Sequence, residues 1–198
     1  MKILLACEES SRVRDEFIKR GHDARSCDFK PARSNLGIHY QCNVLDILYL
    51  EHWDAMIAFP TCTYLCSSGL HHNKNNTDRQ AKTEEALEFV RNLLDAPIEK
   101  IGLENPVGCI STRIRKPDQY IQPYQFGDDA SKKTCLWLKN LPLLKPTCYV
   151  GPRMVNGKPR WANQTDSGQN RLPPSADRGQ IRSLTYMGIA KAMAEQWG

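Results

Sequence analysis

In the first half of the chain, short apolar runs alternate with longer segments in which apolar residues recur every three or four positions. Residues 3–6 predict a buried strand, and the spacing over 10–20 predicts an amphipathic helix that Gly21 ends. A long helix is predicted over 77–94, with Pro97 beyond its last turn. Further strands are predicted at the apolar runs 24–27, 40–44, 54–59 and 100–103, and a short helix at 46–50. This alternation is typical of an α/β fold with a mostly parallel sheet and helices on both faces.

The pattern changes after Pro106, where Pro, Gly and polar residues interrupt the apolar runs. Two short runs, 134–138 and 148–150, predict added strands, and residues 185–197 predict a closing helix. Residues 151–182 show little periodicity, and a loop of such length is usually functional or disordered. We therefore expect an irregular C-terminal half.

The length of 198 residues suits one well-buried domain. We divide it into a core over 1–106, a variable basic segment over 107–182 and a closing helix over 183–198. No apolar run approaches the roughly 18–20 residues that span a bilayer, and the apolar start of the chain is too short for a signal-peptide core. We expect no membrane association and a cytoplasmic protein, in which the eight cysteines are reduced.

The charge is divided unevenly between the two halves. Residues 1–99 contain 12 basic and 15 acidic side chains, whereas residues 100–198 contain 15 basic and 7 acidic ones. A basic half suggests a polyanionic partner, nucleic acid above all. A solvated basic surface explains the same charge equally well.

Two motifs at predicted strand ends indicate chemistry. Cys62 lies in the Pro-containing segment 59–66 directly after one strand, and Glu104 follows the next strand and precedes Asn105-Pro106. Ligands of open α/β sheets bind outside the carboxyl ends of the strands, so these two side chains can converge on one ligand. A thiol and a carboxyl group suit covalent chemistry on an electron-poor ring, the first as nucleophile and the second as acid.

The order of these motifs resembles the DNA (cytosine-5) methyltransferases, and more narrowly the short phage and prophage proteins described as DNA cytosine methyltransferase-like. The narrow resemblance runs nearly end to end. Besides the two motifs, it includes residues 6–8, 25–28, 121–127, 133–139, 182–190 and 194–198. A phage-encoded protein of this kind would act in the host cytoplasm.

The resemblance implies a Rossmann-like core that uses S-adenosylmethionine. It implies that Cys62 adds to C6 of cytosine and that Glu104 contacts N3 and the exocyclic amine. The substrate would be DNA, single-stranded or with the target base flipped out, or a pyrimidine nucleotide. Asp28 matches the acidic position that binds the ribose hydroxyls. The cofactor-binding positions that the resemblance implies are Cys7, Glu8, Asp28, Asn43, Pro60 and Gly188.

The chain departs from the larger family at several positions. Cys7-Glu8-Glu9-Ser10-Ser11 replaces a Gly-rich turn, Asn43 stands nearest an expected Asp, and Thr61 separates Pro60 from Cys62. The separate target-recognition domain of the larger enzymes is also missing. Two alternatives therefore stay open. One is a non-catalytic nucleic-acid-binding relative, and the other is an enzyme that forms the same cysteine adduct without methyl transfer.

Basic residues of the second half are candidate nucleic-acid contacts, with Trp161 as a stacking surface. The candidates are Arg113, Arg115, Lys132, Lys133, Gln169, Arg171, Arg178 and Arg182, extended by Arg153, Lys158 and Arg160. No metal site is expected, because none of the cysteines forms a Cys-x-x-Cys pair.

Overall fold

A seven-stranded sheet forms the centre of the computed structural model, which describes residues 1–198. Its strands are β1 (Lys2–Ala6), β2 (Asp23–Cys27), β3 (His39–Tyr40), β4 (Ala55–Ala58), β5 (Lys100–Pro106), β6 (Gln119–Ile121) and β7 (Thr134–Lys139). Their spatial order is β3-β2-β1-β4-β5-β7-β6. All neighbours are parallel except β7, which is antiparallel to both β5 and β6. The predicted fold class, a Rossmann-like α/β fold with a mostly parallel central sheet, is confirmed.

Seven α-helices and a small separate hairpin complete the fold. The helices are α1 (Arg12–Lys19), α2 (Val44–Ile47), α3 (Ser67–Leu70), α4 (Thr77–Leu94), α5 (Ile110–Arg113), α6 (Arg178–Ser183) and α7 (Met187–Trp197). Short 3-10 turns occupy His71–Asn73 and Pro123–Gln125, and the hairpin consists of β8 (Arg153–Val155) and β9 (Lys158–Arg160). None of the helices combines the length and apolar character needed to cross a bilayer.

The sheet carries a hydrophobic core on each face because successive side chains of a strand point to opposite sides. Leu4 and Met56 pack with residues of α2 and α4 on one face. Ile3 and Ile57 pack with residues of α1 and α7 on the other. Strands β1 and β4 are therefore buried on both sides, which explains why their sequences are continuous apolar runs.

The structure corrects several local predictions. Residues 148–150 form no strand, since only Cys148 makes an isolated bridge, to Phe126. Residues 151–182 are not one long loop, because they contain the β8–β9 hairpin and the start of α6. The short helix begins at Val44, after an Asn43 cap, and not at Asp46.

Candidate active site

The loop that carries Cys62 leaves the sheet beside Glu104. Ala58, the last residue of β4, pairs with Leu103 of β5, so the loop (residues 59–66, the Cys62 loop) starts next to the carboxyl end of β5. Within the loop, the amides of Leu65 and Cys66 donate to the carbonyl of Cys62 at 3.0 and 2.9 Å. Cys62 therefore begins a tight turn, with its side chain half-buried.

Backbone and side-chain hydrogen bonds join the Cys62 loop to the segment after β5. Asn105 Nδ2 donates to the carbonyl of Pro60 at 2.7 Å, in a buried position. The Cys109 amide donates to the carbonyl of Leu65 at 2.8 Å. Gly108 forms a bridge with Cys66, and a Cβ on Gly108 would lie 1.9 Å from the Leu65 carbonyl oxygen. The positions of Cys62 and Glu104 are thus coupled through a shared backbone framework.

Cys62, Glu104 and Lys132 form one electrostatic cluster. Burial raises the pKa of the Cys62 thiol, and the Glu104 carboxylate acts in the same direction, whereas the Lys132 ammonium lowers it. Burial also raises the pKa of Glu104, and Lys132 again opposes the shift. The two predicted catalytic side chains therefore lie close enough for the Glu104 carboxylate to affect the pKa of Cys62. The Lys132 ammonium is close enough to affect the pKa of both.

Two of the proposed cofactor residues lie together at the ends of β1 and β2. Cys7 adopts a left-handed backbone conformation with φ 59°, which is uncommon for a residue other than glycine. Burial raises the pKa of its thiol, and the nearby Asp28 carboxylate raises it further. Asp28 Oδ1 accepts a hydrogen bond from the Lys30 amide at 2.9 Å, and its second carboxylate oxygen makes no hydrogen bond within the protein.

Glu8 and Asn43 are engaged in helix capping. The Glu8 carboxyl group accepts from the amides of Val13 and Arg14 at 2.9 and 3.3 Å, at the start of α1. Only 3% of Glu8 is exposed, and burial raises its pKa to about 7. Asn43 Oδ1 accepts from the Leu45 amide at 3.1 Å and so caps α2.

Pro60 and Gly188 have clear packing roles. Pro60 is buried, and its carbonyl oxygen accepts the hydrogen bond from Asn105 Nδ2. The Gly188 amide donates to Asp128 Oδ2 at 2.9 Å, and a Cβ there would lie 1.8 Å from the carbonyl oxygen of Phe126. Glycine at this position allows α7 to approach the loop of Phe126.

The predicted nucleic-acid contacts are distributed over different parts of the molecule. Arg113 forms an ion pair with Glu84 at 2.9 Å, and Arg115 forms one with Asp118 at 2.7 Å. Arg115 also donates to the carbonyl of Leu138, near the end of β7 that is remote from Thr134 and from the Cys62 loop. Arg115 is therefore not brought to Cys62 and Glu104, whereas Arg113 lies on α5, directly after the segment bonded to the Cys62 loop.

Among the other predicted contacts, Lys132 lies beside Cys62 and Glu104. Lys132 Nζ donates to the carbonyl of Arg182 at 3.0 Å, which links the end of α6 to the Cys62–Glu104 cluster. Lys133 Nζ lies 4.3 Å from the centre of the Tyr120 ring. Arg178 lies at the start of α6, and its Nε is buried without a partner.

Gln169 and Arg171 belong to a hydrogen-bonded loop after the hairpin. The Gln169 amide donates to Thr165 Oγ1 at 3.1 Å, and Arg171 Nε donates to the carbonyl of Gln164 at 3.3 Å. Trp161, predicted as a stacking surface for bases, is only 8% exposed. Its ring stacks instead on Tyr124, at 4.2 Å between ring centres.

Neither a protein-family model nor a curated protein matches the sequence. Among solved structures, the chain is similar to a prophage-encoded E. coli protein described as a proposed DNA modification methyltransferase, with a TM-score of 0.49 and 12% identity. The similarity covers 78% of this chain and 53% of that one, so the chain spans about half the length of that protein. The fold assignment rests on the strand order alone.

Sequence reasoning missed two residues of the site. Lys132 was predicted only as a phosphate contact, and its proximity to Cys62 and Glu104 depends on the return of β7 beside β5. Asn105 was recognised only as part of a motif. Its bond to Pro60 had no signal in the sequence, because 45 residues separate the two positions. No group of three or more His, Cys, Asp or Glu side chains is arranged to hold a metal ion.

Proposed function

We propose that this protein modifies C5 of a pyrimidine, and that it methylates cytosine in DNA with S-adenosylmethionine as the methyl donor. The convergence of Cys62, Glu104 and Lys132 at the carboxyl ends of β4 and β5 is the observation that supports this proposal. Ligands of open α/β sheets bind at this edge. A thiol, an acid and a cation are the groups that covalent activation of a pyrimidine requires.

The shifted pKa values of the cluster suit a division of roles. Burial raises the pKa of Glu104, which favours a protonated carboxyl group that can donate to N3 of the ring. A neutral Glu104 no longer opposes ionisation of Cys62, while the Lys132 ammonium favours the thiolate. The pKa of Cys62 is nevertheless raised overall by its burial, so its proton leaves to a base as the sulfur attacks the ring, and the Lys132 ammonium favours the thiolate that forms.

The chemical steps follow from these roles. The Cys62 thiolate forms a bond to C6, the ring electron pair moves to C5, and Glu104 stabilises the charge at N3 by donating its proton. S-adenosylmethionine, when bound, would supply the methyl group that C5 accepts, since its methyl–sulfur bond can break with the thioether as leaving group. Loss of the C5 proton to a solvent base then returns the electron pair to the ring. The C6–S bond breaks, Cys62 leaves as a thiolate, and N3 returns its proton to the Glu104 carboxylate.

The residues at the ends of β1 and β2 fit this cofactor at one well-defined point. The carboxylate oxygen of Asp28 that has no partner within the protein can accept the ribose hydroxyls. The left-handed turn at Cys7 supplies the sharp exit from β1 that lets a ligand approach the backbone. Glu8 and Asn43 would contribute through the helices that they cap, since their carboxyl and amide oxygens are already engaged.

A second candidate is a nucleic-acid-binding protein with this fold that does not transfer methyl groups. The engagement of Glu8 and Asn43 in helix capping favours it, because both were proposed to hold the cofactor. The presence of Cys62 and Glu104 in one cluster favours the enzyme. Calorimetric titration with S-adenosylmethionine distinguishes the two, since only the enzyme needs the cofactor.

The direct test is transfer of a labelled methyl group to duplex DNA, single-stranded DNA and free pyrimidine nucleotides. We expect Cys62→Ser to lower the rate about a thousandfold or more, since the nucleophile is lost. Cys148→Ser is the matched control, because Cys148 is an exposed thiol outside the cluster, and it should retain the wild-type rate. Equal rates for both variants, or transfer by neither wild type nor control, would contradict the proposal.

A further inference from the structure

The β8–β9 hairpin is a separate ribbon outside the central sheet. Its register pairs Arg153 with Arg160, Met154 with Pro159 and Val155 with Lys158. The two turn residues, Asn156 and Gly157, have φ values of 49° and 72°. Positive φ at both positions of a two-residue loop is the geometry of a type I′ turn, which gives the ribbon a strong twist.

The ribbon is firmly anchored at its base, although an isolated two-stranded hairpin is marginally stable in water. Trp161, which follows β9, stacks on Tyr124 and donates Nε1 to the carbonyl of Val150 at 3.1 Å. Arg153 forms an ion pair with Asp166 at 2.6 Å, and Arg160 Nε donates to the Asp166 carbonyl at 3.1 Å. The tip therefore projects from a fixed base.

Hydrogen bonds connect the ribbon base to the catalytic cluster. The Ala162 amide donates to Asp129 Oδ1 at 2.9 Å. Asn163 exchanges two hydrogen bonds of 2.9 Å with the backbone of Ser131, the residue before Lys132. The ribbon is thus held by the segment that also positions the cation beside Cys62 and Glu104.

The ribbon lies in a basic segment, and its exposed side chains suit a polyanionic partner. Residues 145–182 contain seven basic and two acidic side chains. Lys158 is exposed and makes neither an ion pair nor a hydrogen bond, so its charge is free for a partner. Met154 is 63% exposed on the opposite face of the ribbon, where it pairs with Pro159.

We propose that the β8–β9 ribbon enters a groove of duplex DNA and brings the target base to the catalytic cluster. The major groove of B-DNA is about 12 Å wide and admits a two-stranded β-ribbon. Lys158 contacts a backbone phosphate, and the tip at Asn156 and Gly157 approaches the base edges. This inference deepens the proposed function and rests on it for the identity of the target, but DNA binding can be measured without methyl transfer.

The test is binding of a short fluorescent duplex, measured by anisotropy as a function of salt. Lys158→Glu should weaken binding about tenfold at low salt, because it replaces a phosphate contact with a repulsive charge. Lys158→Ala should lower the slope of log Kd against log salt concentration by about 1. Lys191→Glu is the matched control, an exposed lysine on α7 without an ion pair, and should change Kd about twofold or less. Circular dichroism confirms that each variant is folded.

The possible failures are distinguishable. Equal Kd values for Lys158→Glu and Lys191→Glu would overturn the ribbon proposal even if methyl transfer is observed. Tighter binding of single-stranded DNA or RNA than of the duplex, or no DNA binding by the wild type, would overturn it too. Conversely, loss of duplex binding in Lys158→Glu without cofactor binding by the wild type supports the ribbon and contradicts the methyltransferase proposal.

Discussion

At the scale of single residues, Lys132 opposes the effect of burial on both other members of the cluster. Its charge acts to lower the pKa of Cys62 and of Glu104, although burial raises both overall, and its Nζ also donates to the carbonyl of Arg182. One ammonium group therefore contacts the helix α6 and influences both the nucleophile and the acid. The role of Lys132 depends on its charge and on its position. A neutral side chain of similar length therefore removes the charge and keeps the position.

We predict that Lys132→Met moves the pH midpoint of Cys62 alkylation to higher pH, because the cation that favours the thiolate is gone. The rate of methyl transfer at neutral pH should fall by about tenfold or more. Mass spectrometry of the peptide that carries Cys62 follows alkylation by iodoacetamide as a function of pH. Lys133→Met is the control, since Lys133 lies over Tyr120 and should leave the midpoint unchanged. A midpoint that stays the same in both variants contradicts the electrostatic role.

At the scale of elements, close backbone contact holds the Cys62 loop against the segment after β5. We predict that Gly108→Ala lowers the free energy of unfolding by about 3 kcal/mol, because its Cβ would lie 1.9 Å from the Leu65 carbonyl oxygen. Gly151→Ala is the control. Nothing lies within 4 Å of a Cβ at Gly151, so the change should be within about 0.5 kcal/mol. Urea denaturation measures both, and equal values would contradict the close contact.

Elements specified by local sequence were predicted well. The long helix was expected over 77–94, and α4 spans Thr77–Leu94, with Asn76 Oδ1 accepting from the Arg79 amide at 2.9 Å. Strand β5 extends past the predicted end at Leu103 to Pro106, because β7 pairs with it there. The β8–β9 hairpin was missed, although Asn-Gly is a turn signal, because its strands are short and depend on distant contacts such as Trp161 with Tyr124.

At the scale of the whole molecule, the proximity of Cys62 and Glu104 could be predicted because strand ends in a parallel sheet share one edge. Cys62 follows β4 and Glu104 lies near the carboxyl end of the neighbouring parallel strand β5, so the topology brings them together. The distribution of basic residues could not be predicted in the same way. Arg115 and Lys132 are both basic and close in sequence, yet one lies beside Leu138 and the other beside the catalytic pair. The antiparallel course of β7 separates them, and no local pattern reveals that course.

The stability of the whole molecule should depend on pH through Glu8. Burial raises its pKa from 4.5 in the unfolded chain to about 7 in the folded protein. A raised folded-state pKa means that the folded protein holds the proton more tightly. The contribution of protonated Glu8 to the free energy of unfolding is complete below pH 4.5 and is lost as the pH rises through about 7.

We predict that the difference in free energy of unfolding between the wild type and Glu8→Gln changes by roughly 3 kcal/mol between pH 4.5 and about 7. The wild type becomes less stable relative to the variant as the pH rises. Glutamine keeps an acceptor oxygen for the start of α1 but cannot ionise. Glu85→Gln, at an exposed position of α4, is the control and should track the wild type at every pH. Urea denaturation at several pH values between 4.5 and 8 gives the difference curves. A flat curve for Glu8→Gln would mean that Glu8 ionises as readily in the folded protein as in the unfolded chain. The carboxylate would then be stabilised by the start of α1 strongly enough to offset its burial.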